Sequence, residues 1–391
     1  MKLTRRQLLK SGGAMLVAVV GGGVFRATDQ GVFSAGEGIA YEPWTAWRNG
    51  ATAAERIVAA AILASNPHNS QPWMFRVGER QIDLLAVPER QIGVIDPFRR
   101  EMTIGLGCAV ENMRLAALAE GFRPDIRLMP DPADPLHMAT VSLQDGAGAM
   151  SSAESAMHEA IPQRHTNRAA YDAERSLANE ALAALRGLVV EPSVRLFWMD
   201  GEASRRKFGE VAVAAAEALV SDEQQSKDSH LWWRKDWNDV QRHADGITLD
   251  AQALPPAVGI LAKMLPDMSR AANDRIFVGN VRDVMASTAS ALGILAVRDG
   301  RDARQRLQCG QAWQRMHLWA TTQGIAMQPL NQMTERADRE VQLGIEPHFG
   351  RAVAELIADA DWHGIMPLRA GYPLRPALPS PRRGLDRVLV G

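Results

Sequence analysis

Cysteine is scarce. Cys108 and Cys309 are the only two in 391 residues, and no C-x-x-C pair occurs. A zinc ribbon and a thioredoxin-type dithiol are therefore excluded, which leaves one disulfide or two buried thiols. Excess positive charge is also missing: 44 Lys and Arg face 45 Asp and Glu, for a formal net charge of −1. Nothing in that balance drives nucleic-acid binding. The nine histidines form no H-E-x-x-H and no close pairing with cysteine, so a metal site is not expected. No G-x-S-x-G elbow is present. Gly21-Gly22-Gly23 does not follow a strand, so it is no dinucleotide fingerprint. No apolar run approaches the roughly 20 residues of a membrane-spanning helix.

What the chain does have begins at residue 4. Thr4-Arg5-Arg6-Gln7-Leu8-Leu9-Lys10 carries paired arginines, and a weakly apolar, glycine-rich stretch follows from Gly12 to Phe25. This is the layout of a twin-arginine export signal. Residues 1–27 hold Lys2, Arg5, Arg6, Lys10 and Arg26 and no acids, so the remainder carries −6. The alternative is a short uncleaved anchor giving transient membrane association. The expected location is the periplasm or extracytoplasmic face, with the twin-arginine machinery as a partner. Folded export often accompanies a cofactor loaded in the cytoplasm.

Periodicity and punctuation divide the rest. Residues 28–50 read as a loop-rich linker. A helix is expected over Ala51–Ala64, then a polar loop, Ser65-Asn66-Pro67-His68-Asn69-Ser70-Gln71-Pro72-Trp73, leading into strands at Met74–Val77 and Ile82–Val87. A long apolar helix runs from about Gly105 to Ala119, and His137–Leu143 is strand-like. The Gly/Ala/Ser-rich stretch at Gly146–Ser152 marks a boundary between a first half, 51–150, and a second, 151–391. The second half holds a helix near Asn179–Leu188, a strand at Val194–Met199 and a helix at Ala203–Ser221. Residues 222–270, with Trp232, Trp233 and Trp237, read as a helical lid. Its tryptophans either shape a pocket, with Arg234 or Lys235 nearby, or simply pack the lid down.

A faint repeat relates the halves. Gly107–Gly121 and Gly310–Gly324 align at the same spacing, with Ala109/Ala312, Met113/Met316, Leu115/Leu318 and Ala117/Ala320 coinciding.

Three motifs carry a family resemblance. Asn66–Trp73 resembles the flavin-contacting N-x-Q-P-W loop of the nitroreductase superfamily. Arg164-His165-Thr166-Asn167-Arg168 is similar to its basic R-x-S/T-x-R/K motif. Leu368-Arg369-Ala370-Gly371-Tyr372-Pro373, with Pro379-Ser380-Pro381-Arg382-Arg383, resembles its closing segment. The basic motif follows the loop here instead of preceding it, as in two fused half-copies, and this order resembles the Acg-type branch. The resemblance implies an α+β fold of two tandem half-domains forming an intrachain pseudo-dimer. It implies FMN as cofactor and an oxidoreductase that passes two electrons from an unidentified reductant to a small organic acceptor (a nitroaromatic, quinone or enone). A flavin-sequestering protein with little turnover is the other reading.

The residue types suit that cofactor. Arg164, Arg382 and Arg383 can fork onto a phosphate. Arg168 can sit where reduction builds negative charge. His165 and Thr166 can bond phosphate or ribityl oxygens, Asn69 and Gln71, with Asn66 in the same flavin-contacting loop, the pyrimidine edge and ribityl chain, and Pro67 fixes the loop. Pro329, Leu330 and Asn331 follow the repeated helix where the superfamily presents a backbone N–H to the flavin. An N-x-Q-P-W loop is absent at Val189–Val194 and a basic motif is absent at Trp44–Asn49, so one FMN per chain is expected. His68 is expected to bond within its own loop, with proton donation as the alternative. Asp96, Arg99 and Arg100 are expected to cap the helix or pair locally.

Overall fold

The computed structural model describes residues 23–146 and 150–390. The paired-arginine motif lies outside the described residues, as do 147–149 of the boundary stretch.

The first half opens with helix α1, Ala53–Ala61. Thr52 accepts from Glu55 N and the Glu55 side chain returns to the cap backbone, so the helix start is fixed by a reciprocal box. Strands β1 (Trp73–Val77) and β2 (Gln81–Ala86) pair as a hairpin, Trp73 opposite Ala86. The long helix α2, Arg100–Ala119, follows, then β3 (Arg123–Leu128) and β4 (His137–Gln144). The second half repeats this plan. After helix α3 (Asn179–Gly187) come β5 (Val194–Trp198), β6 (Ala291–Val297), the long helix α4 (Ala303–Thr322), β7 (Ala326–Pro329) and β8 (His363–Gly371). The two sheets have the same order: β1-β2-β4-β3 in one, β5-β6-β8-β7 in the other. The α+β fold of two related halves expected from the motifs is the one observed.

The halves join through α2 and α4. A Cβ built on Gly107 would lie 2.0 Å from Leu307 O, and one on Gly310 would lie 2.0 Å from Ile104 O. With an offset of 203 residues, Gly107 matches Gly310 and Ile104 matches Leu307. The two contacts are thus one contact and its mate across a pseudo-twofold axis, the signature of an isologous interface. Farther along, Arg315 bonds Glu111 at 3.0–3.1 Å while Gln314 Nε2 donates to Asn112 Oδ1 at 2.9 Å. These two contacts are also mates at that offset. Only glycine lets the backbones meet this closely.

Three features depart from the symmetric plan. Between β5 and β6, where the first half needs only a tight turn, the chain makes a helical excursion over 199–290 that includes Glu202–Ser221, Glu223–His230, Pro256–Met264 and Arg270–Asn280. Between β7 and β8 it inserts helix α5, Gln332–Leu343, and a further helix, His348–Ile357. The tail then crosses back: β9 (Leu389–Val390) pairs in parallel with β1, Phe75 opposite Leu389. This last crossing carries Pro381–Arg383 to the Asn66–Trp73 loop.

The long helix begins at Arg100, five residues before the expected Gly105. Asp96 Oδ2 accepts from Met102 N at 2.9 Å, which starts the helix at the turn. Strand β3 contains Pro124; it lies at the sheet edge, the place where a strand tolerates proline. Both cysteines are buried and unpaired.

Candidate functional site

The loop after α1 is held in a costly conformation. His68 (φ 49°), Asn69 (φ 55°) and Gln71 (φ 53°) all occupy the left-handed region, at about 1–3 kcal/mol each. Local bonds hold part of it: Asn66 Oδ1 accepts from Gln71 N at 2.8 Å, and Pro67 O accepts from Ser70 N at 2.9 Å. The tail holds the rest. Asn69 Nδ2 donates to Pro381 O at 2.8 Å, Arg382 donates to Asn69 Oδ1, and Arg383 N donates to Gln71 Oε1 at 2.9 Å. Gln71 Nε2 also donates to Ala244 O at 2.7 Å. Three left-handed non-glycine residues within four positions, fixed from three sides, mark a functional segment.

Gly105 of α2 makes room for this loop. A Cβ there would lie 3.1 Å from both Asn66 Cβ and Pro67 Cδ. Beside the contact opens a cavity of about 1040 Å³, roughly the upper end of the range for small-molecule sites. Its wall includes Asn66, Pro67, Thr166, Arg168, Pro329, Leu330 and Asn331, together with Glu101, Ile104, Gly105 and Cys108 of α2. The excursion closes the outer side with Trp233, Arg234 and Lys235 among others.

The other expected site residues stand behind this wall. Arg164 is buried and donates to Leu63 O at 3.0 Å. Arg382 is buried, donates to Ala64 O at 3.3 Å, and lies over the Trp44 ring at 4.7 Å. His165 meets the same ring at 4.6 Å. Asn69 and Gln71 are engaged by the tail. Arg383 differs from the expectation of a phosphate ligand: it forms an ion pair with Asp245 and donates to Ser70 O at 2.8 Å. A cation already neutralised and turned to the loop backbone is a brace.

The electrostatics are unusual. Arg164, Arg168, Arg369 and Arg382 have no carboxylate partner among the described residues; each bonds only carbonyl or amide oxygens. Burial pulls the Arg164 guanidinium down to about 10, with Arg168 adding repulsion. Burial likewise lowers Arg168 to about 10, with Arg369 opposing its charge. Arg382 falls well below the ordinary range through burial and then Arg164. Burial, Arg164 and Arg382 hold His165 at about 3. The Nε atoms of Arg164 and Arg382 and Nδ1 of His165 are buried without partners. Buried charge is costly unless paired, and among the described residues nothing anionic offsets this cluster.

His68 corrects the expectation of a bond within its own loop. Its Nε2 lies 3.2 Å from Ser229 Oγ on the excursion, and the residue lines the cavity. Burial and Arg168 lower it to about 4. Of the three lid tryptophans, Trp233 lines the cavity, Trp232 packs beside Ile92, Ile95 and Leu219, and Trp237 stacks on Tyr41 at 6.1 Å.

Sequence reasoning missed several residues. Arg369 stood within a motif without a role, yet it is fully buried, donates to Gln328 Oε1 at 2.8 Å and lies over the Tyr171 ring at 3.9 Å. Arg375 lines the cavity with a buried Nε that has no partner. Trp44, in the stretch read as linker, forms the platform under Arg382 and His165. Its neighbour Trp47 was the only hint, as two close tryptophans rarely stay in solvent. Glu101, Gln332 and Glu335 also line the cavity.

The chain is 27% identical over 344 residues to a Mycobacterium tuberculosis H37Rv protein named "Putative NAD(P)H nitroreductase Rv3131", covering 85% of this chain and 90% of that one. It is 25% identical over 346 residues to a second protein of the same strain, "Putative NAD(P)H nitroreductase acg", covering 85% and 93%. Among solved structures, the FMN-dependent nitroreductase NfnB of Mycobacterium smegmatis in complex with NADPH aligns with 18% identity over 61% of this chain and 98% of its own, at a TM-score of 0.38. No family model matches the chain.

Proposed function

We propose that the chain is an FMN-dependent oxidoreductase of nitroreductase type, passing two electrons to a small organic acceptor such as a nitroaromatic, a quinone or an enone. One observation carries the reading: buried arginines without carboxylates stand beside a cavity walled by the strained Asn66–Trp73 loop. FMN fits this donor set, since its phosphate supplies the missing anion and its ring a flat body for the cavity. When bound, FMN supplies the two-electron chemistry. Arg164 and Arg382, with His165 neutral, would hold the phosphate. Arg168 and Thr166 would face the ribityl chain and ring edge, where a fixed cation favours reduction. The loop and the Pro329–Asn331 segment would set the ring's position.

Asymmetry between the halves supports one FMN per chain. At the 203-residue offset, Gly105 corresponds to Gln308. Gln308 Oε1 accepts from Ser193 Oγ at 2.6 Å, within the segment that stands in place of the loop. A glutamine thus stands where, in the other copy, glycine lets the loop approach the helix.

The names of the relatives and the NADPH complex of NfnB favour a nicotinamide donor, whereas export would place the protein where such donors are scarce. We hold to export by the twin-arginine route. Replacing Arg5 and Arg6 by lysine should strand the precursor in the cytoplasm; normal export would refute the signal. A flavin-sequestering role is the second reading, favoured by the excursion that closes over the cavity and is tied to the loop through His68 and Ser229. Stopped-flow reduction followed by mixing with menadione or a nitroaromatic separates the two. Rapid reoxidation by the acceptor supports the enzyme; a flavin inert to every donor and acceptor supports the store.

A further inference from the structure

The cavity wall holds a feature to which the proposed flavin site gives no role. Glu101 from the first turn of α2 and Glu335 from the first turn of α5 both line it, and both are buried, at 4% and 7% exposure. Their carboxyl groups lie within hydrogen-bonding reach of each other. The nearest cation, Arg100, is shared: it donates to Asp338 at 2.8 Å and reaches Glu101 at 3.2 Å. Asp338 is also 3.6 Å from Arg301. Glu335 has no basic partner among the described residues. Buried Asp96 adds a further negative neighbour. Arg306 bonds the Phe98 carbonyl nearby, and Asp274 and Lys235 line the cavity from the excursion side. Two facing carboxyls served by less than one cation resist ionising together, so at rest the pair keeps a proton.

A separate observation points to a ligand here. Gln332, 5% exposed, lines the cavity next to Glu335, and its Nε2 is buried without a hydrogen-bond partner. A buried amide donor left unpaired costs about 1–3 kcal/mol, so it calls for an acceptor atom. No group of three acidic, histidine or cysteine side chains among the described residues is placed to hold a metal ion, so the acids are not read as a cation site.

We propose that Gln332 and the Glu101–Glu335 pair form the acceptor-oxygen pocket: the Gln332 amide binds the oxygen of a neutral quinone, enone or nitro group, and the carboxyl pair supplies a proton to it. This rests on the reading of the cavity as the place where an organic acceptor is reduced. Bound FMN would supply the acceptor with two electrons and one proton, and the pair its second proton; with a nitro group both protons leave as water as one N–O bond breaks. An O–H bond breaks at the carboxyl and one forms at the acceptor oxygen; the pair is left ionised, and solvent restores its proton. The pocket disfavours acceptors that present a carboxylate at this end. Burial and the adjacent Glu101 hold Glu335 well above the ordinary carboxylate range, and burial lifts Glu101 to about 7.

Infrared titration of the whole purified protein tests the pair without turnover. A protonated-carboxyl carbonyl band should persist at pH 7 and vanish in both Glu335→Gln and Glu101→Gln. Absence of the band from the parent, or its survival in both variants, overturns the proposal. In the flavin-loaded protein, Glu335→Gln should slow acceptor reduction roughly 10²-fold or more and abolish its decline as pH rises through the pair's titration, while flavin reduction by the donor is unchanged. Equal slowing of both half-reactions would mean a structural role and refute it. Gln332→Met should raise the menadione KM at near-constant kcat; an unchanged KM refutes the amide assignment. Should Glu335→Gln not fold, Glu335→Asp must keep the band. A protein without flavin would sink the oxidoreductase reading and leave the infrared result standing.

Discussion

Replacing Arg164 with methionine separates the cost of a buried cation from its use. In the flavin-free protein the guanidinium is 2% exposed, lacks a carboxylate, and is pulled to about 10 chiefly by burial. That displacement corresponds to a folding cost on the order of 3 kcal/mol. Removing the charge recovers the cost but leaves Leu63 O without its donor, a loss of about 1–3 kcal/mol. The two nearly cancel, so the flavin-free variant should melt close to the parent. FMN binding should behave differently. Loss of a charged hydrogen bond to the phosphate costs about 1.5–3 kcal/mol, or roughly 10- to 150-fold in Kd. Riboflavin, which lacks the phosphate, should bind parent and variant equally. Quenching of flavin fluorescence during titration reads both affinities. If FMN and riboflavin weaken together, Arg164 shapes the cavity and binds no phosphate; if neither weakens, the anion site lies elsewhere.

Other outcomes follow from the same contacts. Gly310→Ala should destabilise the fold by roughly 1–3 kcal/mol or more, because its Cβ would meet backbone and not a yielding side chain; a melting temperature unchanged from the parent would refute the close crossing of α2 and α4. Arg315→Met strips fully buried Glu111 of its partner across the halves and should cost about 3–5 kcal/mol, measured by urea denaturation; a loss below about 1 kcal/mol would mean that Arg114 alone suffices. The folded values of His68 and His165, about 4 and about 3, lie below the ordinary histidine value. The unfolded chain therefore binds more protons below about pH 6.5. Their contribution to stability should be present above that pH and lost progressively as pH falls toward 3; a histidine-to-glutamine double variant with the same acid limb would refute this.

The sequence made the repeat legible because two helices that must touch backbone to backbone can do so only through small residues at fixed spacing. Gly107 and Gly310 displayed that requirement openly. The loop was legible through its resemblance to the N-x-Q-P-W motif, whereas its left-handed His68 and Gln71 were not, since neither residue type favours that backbone. Strands β6 and β8 were harder to see. They are buried on both faces, so their alternation vanishes and Ala291–Val297 reads as a featureless apolar run. The role of Arg383 was hidden because its partner Asp245 is 138 residues away, in an excursion whose path local pattern does not encode. The Glu101–Glu335 pair was equally silent: on the page each glutamate looks like a solvated first-turn residue, and only the packing of α5 against the start of α2 turns two ordinary acids into a facing couple.

The flavin content of the protein as purified bears most directly on the central claim. Extraction with quantitation against protein concentration should return FMN at one molecule per chain, and the yellow colour should be lost in an Arg164→Ala, Arg382→Ala variant. A colourless parent that takes up no added FMN, or two flavins per chain, would contradict a single anion-seeking arginine site joined to one strained loop.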